Sequence, residues 1–473
     1  MIASITQNAS PVFRVSKTVK QSDGTSLLVT RIGADHLLYY ITSDSVPVYP
    51  NKNNDFCYAQ FDNQNNVVAS EVIAHEAKMR TPYEKVLAND MADSFKNSVL
   101  MRKATRYGVG SLKSACVRNY GDVNIAVILA EFQDLSFQPE NDIEKFDKHF
   151  NASNYTAEGG AGSVRDYFIA QSDSLFRPHF DIVAKVKVSQ NYKYYGANSG
   201  GDDIRARAYI AEATDSAIMK GVDFSKYLNS EGELFVIVIY PGQGEQVSGE
   251  NSQLWASYYY YMSHTVGKYK VTSGLVMDEL ADYGMGEMFD GIGTLCHEFS
   301  HALGLPDFYN TNGMRNIFGM DAWSIMDYGQ YNNLGRTPVG YTAYERNFME
   351  WLKIDTLKNE KQMVTLPPLH SKGKSRALCI PNESDKKGNE YYLLENRQAS
   401  PWYMKLYGEG MLVTHVDYNA NVWASNTINN SLSHPRMTII PADNVLTPYS
   451  SKASDYKGDL FPGYKNVTEF GYN

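Results

Sequence analysis

The sequence predicts a mixed α/β (α+β) central domain flanked by two β-rich regions. Two continuous apolar runs, residues 124–132 and 234–240, have the composition of buried strands. Between them, residues 164–172 and 205–220 have the spacing of helices that pack on a sheet. Short β-branched and aromatic runs separated by turns fill residues 1–85 and return after about residue 360.

The length of 473 residues predicts several domains, since single cores stop growing well below this size. We expect a β-rich module at residues 1–90, a linker at 91–119, a central domain at 120–355 and a β-rich region at 356–473 that is truncated relative to a longer protein. Residues 86–118 are rich in Lys, Arg, Gly and Ser, which is typical of an exposed connector. A proteolytic cut is expected there, at Arg102–Arg106.

Composition excludes several classes of protein. The net charge of −9 argues against a nucleic-acid partner, because phosphate binding needs a basic face. The four cysteines have no CxxC spacing, which argues against a cysteine zinc cluster or a disulfide scaffold. No apolar run reaches the length of about 18 residues that a membrane span needs. The first residues lack the features of a signal peptide, so we expect a cytosolic protein or one whose signal precedes this numbering. Nothing in the sequence indicates the oligomeric state.

The strongest chemical signal is His297-Glu298-Phe299-Ser300-His301, within a helix predicted over residues 289–303. Two histidines four residues apart lie on one helical face, so both imidazoles can bind one zinc ion. Glu298 lies beside them, where it can act as a general base toward a water molecule.

The residues that follow extend this motif. Gly304 permits a sharp turn out of the helix, which can return Asp307 to the metal as a third ligand. Glu345, on a later helix, is the rival third ligand. Two imidazoles and one carboxylate leave a fourth position for water, whose pKa zinc lowers from about 15.7 to about 7.

Further downstream, Ser324-Ile325-Met326-Asp327-Tyr328-Gly329 has the form of the methionine turn of metzincins. Met326 is expected beneath the metal as a packing residue and not as a ligand. Tyr328 is either a catalytic residue that stabilises a developing oxyanion or an ordinary packing residue.

The segment from His297 to Asp307, with Met326 downstream, resembles the immune inhibitor A family of secreted bacterial metalloproteases. Further similar stretches are Gly162–Phe168, Phe180–Val183, Tyr194–Gly196, Glu395–Gln398 and Gly410–Asp417. The resemblance implies a metzincin-like zincin fold and a secreted or cell-surface zinc endopeptidase that acts on proteins or peptides. It also implies that residues 10–85 are a pro-domain, which we expect to lie over the cleft of a latent zymogen.

Several alternatives stay open at this point. The chain is also compatible with a surface or binding protein that kept a zincin fold, or with a zinc exopeptidase. Cys57 is a candidate for a thiolate that caps the zinc in a latent form. Asp202-Asp203 and Asp55 are candidate calcium ligands, since calcium takes several oxygen ligands, and solvated loop residues are the simpler interpretation.

Overall fold

The computed structural model describes residues 7–34, 37–62, 66–101, 109–199, 202–312, 318–373, 375–403, 407–447 and 453–470. Arg102–Arg106, the predicted cleavage site, lies outside the described residues.

The N-terminal region contributes to two different sheets. Strand β1 (Gln7–Ala9) belongs to the large central sheet. A separate six-stranded sheet follows, in which each strand pairs antiparallel with the next. Its strands are β2 (Ser16–Lys20), β3 (Ser26–Ala34), β4 (Leu37–Thr42), β5 (Pro47–Pro50), β6 (Phe56–Phe61) and β7 (Val67–Ile73). Helix α1 (Pro82–Met101) packs on this sheet. Residues 16–73 therefore form a sheet of their own, whereas β1 belongs to the central sheet, and the N-terminal module stays a prediction.

The central region alternates strands with helices. Its strands are β8 (Gly121–Glu131), β9 (Phe176–Lys187), β10 (Asn198–Ser199), β11 (Asp202–Asp203), β12 (Glu233–Gln243), β13 (Ser257–Tyr259), β14 (His264–Val266), β15 (Tyr269–Ala281) and β16 (Met288–Phe289). Its helices are α2 (Ile143–Asn151), α3 (Val164–Gln171), α4 (Tyr192–Tyr195), α5 (Ala206–Met219), α6 (Glu245–Ser248) and α7 (Gly293–Ala302).

The central sheet has the order β1-β13-β15-β12-β8-β9, with β14 and β16 also paired to β15. Strands β15, β12, β8 and β9 are parallel, whereas β13 and β1 run antiparallel to their neighbours. Successive residues of β8 alternate between two cores, as strand geometry requires. Val127 packs with α3 and α7 on one face of the sheet, and Ile128 packs with α5 on the other. The predicted mixed α/β layer is therefore observed.

Helix α7 is shorter than predicted. Phe289 lies in strand β16 and pairs with Leu280, and the helix begins only at Gly293. The apolar spacing of Phe289 and Ile292 fits a helix, but sheet pairing determines the conformation of Phe289. The expected end at residue 303 is nearly right, because the helix ends at Ala302.

The C-terminal region contains helix α8 (Ala343–Phe348) and a five-stranded sheet in the order β17-β18-β19-β20-β21. These strands are β17 (Asp355–Thr356), β18 (Ala377–Pro381), β19 (Glu390–Arg397), β20 (Gly410–Asp417) and β21 (Met437–Ile439). Helices α9 (Ala420–Ala424) and α10 (Ala453–Asp459) follow β20 and β21.

The described parts of the connector predicted at residues 86–118 include a helix and some buried residues, and the linker stays a prediction. Helix α1 occupies residues 82–101, and Val109 and Val117 are buried. Among the helices within the described ranges, none is both long and apolar enough to cross a membrane.

Candidate functional site

Helix α7 brings His297 and His301 into the buried centre of the molecule, where both side chains are fully enclosed. The Nδ1 of His297 lies 2.7 Å from the carbonyl oxygen of Ile325, and the Nδ1 of His301 lies 2.7 Å from that of Leu305. A carbonyl can only accept a hydrogen bond, so each Nδ1 carries the proton. Each Nε2 is then left with a free lone pair, which is the form that binds a metal.

The turn after α7 depends on Gly304. Its φ of +103° is a conformation that other residues adopt rarely, and a Cβ there would lie 2.7 Å from the backbone oxygen of Ser111. Leu305 donates its N–H to Ser300, which completes the turn at 3.0 Å. The chain thereby returns toward α7, with Leu305 orienting His301 and Asp307 facing the two imidazoles.

Three buried atoms converge where the turn meets the helix. The Oδ1 of Asp307 lies 3.2 Å from the Nε2 of His297 and 3.2 Å from the Nε2 of His301. Among the residues that the structure describes, none provides a hydrogen-bond partner of acceptable geometry for any of the three atoms. Bonds of about 2.0–2.1 Å to a tetrahedral zinc ion would separate two ligand atoms by about 3.3 Å. The spacing and the lone pairs therefore fit a zinc ion.

Glu298 also belongs to this cluster but has a different position. Its Oε1 is 3.9 Å from the Nε2 of His297, farther than the Asp307 oxygen. Its Oε2 accepts the N–H of Tyr258 at 2.8 Å, and its Oε1 accepts the hydroxyl of Ser10 at 2.6 Å. Burial raises the pKa of Glu298 to about 8. These features describe a carboxylate beside the metal position that can hold a proton.

Asn426, which lies in the C-terminal region, fixes the position of the Asp307 side chain. Its Oδ1 accepts the backbone N–H of Asp307 at 2.7 Å, and its Nδ2 donates to the Oδ2 of Asp307 at 2.5 Å. Asn429 supports the same loop through the carbonyl oxygen of Phe308. Sequence reasoning missed these residues, although the run Asn426-Thr427-Ile428-Asn429-Asn430 is unusually rich in asparagine.

The predicted methionine turn lies against the site. Met326 is fully buried and its carbonyl oxygen accepts the N–H of Phe308 at 2.8 Å, while the carbonyl oxygen of Ile325 accepts the Nδ1–H of His297.

Glu345, the rival third ligand, has other partners. Its carboxylate accepts hydrogen bonds from the hydroxyl of Ser324 and the N–H of Thr342. The geometry therefore favours Asp307 over Glu345 as the third ligand.

Tyr328 faces the N-terminal segment. Its hydroxyl accepts the backbone N–H of Arg14 at 3.1 Å, and its ring lies beneath the Arg14 guanidinium. Its catalytic role stays a prediction.

The N-terminal segment passes directly through the site. Strand β1 pairs antiparallel with β13, which places Ala9 opposite Ser257. The next residue, Ser10, is fully buried and donates its hydroxyl to Glu298. The carbonyl oxygen of Ser10 accepts the indole N–H of Trp255 at 3.0 Å. Sequence reasoning placed an N-terminal module over the cleft but did not identify this segment.

The other candidates lie away from the site. Cys57 is buried in strand β6, where its sulfur contacts Asn51 and the carbonyl of Asp55, so the proposed thiolate cap is wrong. All four cysteines are free thiols. Asp55 accepts two hydrogen bonds from Ser22, and Asp203 accepts the N–H of Trp255. Calcium binding by these residues stays a prediction.

Part of the chain is similar to a known peptidase domain. Residues 234–354, which include α7, Asp307 and the methionine turn, match the catalytic domain of immune inhibitor A peptidase M6. The resemblance to the immune inhibitor A family is thus confirmed.

Curated relatives share low identity with the chain. The pre-pro-metalloprotease PrtV of Vibrio cholerae is 25% identical over 259 residues, which cover 46% of this chain and 28% of PrtV. Immune inhibitor A of Bacillus thuringiensis is 22% identical over 298 residues, which cover 51% of this chain and 43% of that relative. The chain thus spans less than half the length of either relative.

Asn426 provides a test of the site geometry. We expect Asn426→Ala to weaken zinc binding by about 10- to 100-fold, because outer partners of metal ligands fix their orientation and charge. Zinc affinity would be measured by competition with a chromophoric chelator. Asn421→Ala changes an exposed asparagine of α9 and is the matched control. Equal affinity of the two variants would show that Asn426 does not position a metal ligand.

Proposed function

We propose that this chain is a zinc-dependent endopeptidase that cleaves proteins outside a bacterial cell and is made in a latent form. The observation that carries the proposal is the position of Asp307 Oδ1, which lies 3.2 Å from the Nε2 atoms of both His297 and His301, with Glu298 alongside. When bound, zinc would supply a Lewis acid that polarises the peptide carbonyl and acidifies a water molecule.

The residues around the metal position have separate roles in this proposal. His297, His301 and Asp307 hold the ion, and the carbonyl oxygens of Ile325 and Leu305 fix the two rings. Glu298 takes a proton from the attacking water and then delivers it to the leaving amine. The enclosed position of Glu298 favours its protonated form between these two transfers.

The path of the N-terminal segment favours an endopeptidase. Residues 7–9 pair with β13 before Ser10 reaches Glu298, and residues 11–14 contact the protein beyond it. A cleft that holds an extended chain on both sides of the general base can hold the interior of a protein substrate. An exopeptidase needs a closed end at this position. A non-catalytic binding protein has no need of Glu298 beside a complete set of three ligands.

The same segment supports latency. The Ser10 hydroxyl bonds to the carboxylate that must accept a proton from water, and β1 fills the position next to β13. Tyr331 adds a 2.6 Å hydrogen bond to the carbonyl oxygen of Pro11. The segment therefore blocks both the general base and the strand beside it. Activation is proposed to require its release, with cleavage at Arg102–Arg106 as the proposed route.

The catalytic role of Glu298 can be tested by substitution. Glu298→Ala should lower casein hydrolysis by at least about 10²-fold, since it removes the general base, while zinc content is kept because the three ligands stay. Hydrolysis and zinc content would be measured on the same samples. Glu287→Ala, on the loop before β16, is the control. Undiminished hydrolysis by Glu298→Ala would refute the proposed mechanism.

Latency can be tested by shortening the chain. Removal of residues 1–14 should raise casein hydrolysis by about tenfold or more, because a tethered segment acts at an effective concentration in the millimolar range. A chain that lacks only residues 1–6 keeps β1 and Ser10 and should stay latent. Zinc content would be compared to verify that each site is intact. Equal activity of the two shortened chains, both zinc-loaded, would contradict latency by this segment.

A further inference from the structure

Beyond Ser10, the N-terminal segment enters an aromatic pocket of the central region. The centroid of the Phe13 ring lies 4.6 Å from the ring centroid of Tyr283 and 5.1 Å from that of Tyr331, and both contacts are edge-on. The Phe13 ring is also stacked on that of Tyr328, with a centroid distance of 6.3 Å. The backbone N–H of Phe13 donates to the carbonyl oxygen of Gln246 at 3.1 Å. These contacts fix one side chain at the third position after the residue that faces Glu298.

The next residue, Arg14, is bound by a side chain of opposite charge, that of Asp321. The Arg14 guanidinium lies 4.0 Å above the Tyr328 ring, and its Nη1 is 3.2 Å from the Oδ2 of Asp321. Asp321 is buried and its Oδ1 accepts the hydroxyl of Tyr456 at 3.1 Å. A buried carboxylate beside an aromatic face is well suited to bind a cationic side chain.

The direction of the segment connects these contacts with a substrate. Without β1, strand β13 is an edge of the central sheet, and an extended peptide can bind such an edge by adding a strand. Main-chain hydrogen bonds then give affinity, and side-chain pockets give specificity. Residues 7–9 already bind in this way, and the chain continues from them to Phe13 and Arg14, so these two side chains identify the pockets that a bound peptide meets next.

We infer that Tyr283, Tyr328, Tyr331 and Asp321 form two adjacent substrate subsites. The first selects a large aromatic or apolar side chain three residues after the residue facing Glu298, and the second selects Arg or Lys at the fourth. This inference rests on the proposed peptidase function and adds the class of substrate: extended chains that carry an aromatic-basic pair beyond the cleaved bond.

The first test measures peptide binding and does not require catalysis. The protein is the zinc-loaded full chain with Phe13→Ala and Arg14→Ala, which removes the two side chains from the subsites and leaves the backbone of the segment as the same competitor for every peptide. Three fluorescent peptides with the sequence of residues 10–17 would be titrated: the parent, its Phe13→Ala analogue and its Arg14→Glu analogue. We expect the parent to bind about tenfold more tightly than either analogue, from the combined ion pair, cation–π and aromatic contacts. Equal affinities would overturn the inference.

Asp321→Asn in the same full chain separates the two subsites. Asp321 has a φ of +44°, which asparagine tolerates, and an amide oxygen can still accept the Tyr456 hydroxyl. The preference for Arg over Glu should disappear, whereas the preference for Phe over Ala should persist. Asp122→Asn, an exposed aspartate paired with Arg177, is the control and should change neither preference. An undiminished preference for Arg in Asp321→Asn would exclude Asp321 as the basic subsite.

The cleavage products provide a second readout. Casein fragments produced by the chain that lacks residues 1–14, the form expected to be active, should be enriched in aromatic-basic pairs three and four residues beyond the residue at the cleaved bond. A random distribution there would overturn the inference. If casein is not cleaved by any form of the protein, the proposed function fails, and the peptide titrations still decide whether the two subsites exist.

Discussion

An unpaired buried polar atom costs about 1–3 kcal/mol, and this protein brings three of them together within 3.2 Å contacts. The surrounding structure is arranged to keep these atoms in place. Both imidazoles are held by backbone carbonyls on their far sides, so neither ring can turn to find another partner. Asp307 is held by an amide side chain that uses both of its polar atoms. Such a site favours a cation, which would satisfy all three atoms together.

Residues that are distant in the sequence maintain this geometry together. The helix and the turn at Gly304 are local, but Ile325 comes from the methionine turn and Asn426 from a segment 119 residues after Asp307. Asn429, Asn430 and Thr311 extend the contact between that segment and the loop. The C-terminal region is therefore part of the support of the site as well as a separate β-rich layer. A mutation near residue 426 can therefore disturb Asp307 from a distant part of the sequence.

Local patterns in the sequence predicted the local features. A four-residue spacing on a helix is sufficient to align His297 with His301, and a glycine that must adopt positive φ marks the turn before Asp307. Features set by tertiary contacts were not predictable in this way. Phe289 has helical periodicity but pairs with Leu280, and strand β1 pairs with a residue range about 250 positions away. Serine and asparagine are common in turns, so no local pattern marks Ser10 and Asn426 as site residues. Only the fold shows that they lie at the site.

Strand β1 also has a consequence for solubility. Strands that end a sheet expose unpaired N–H and C=O groups, and proteins usually cover or shorten them to avoid association with other chains. Here β13 is only three residues long and is covered by β1 on its outer side. Loss of β1 would open a short, tyrosine-rich border on the central sheet. The strand that lies beside the site therefore also shields this border from association with other chains.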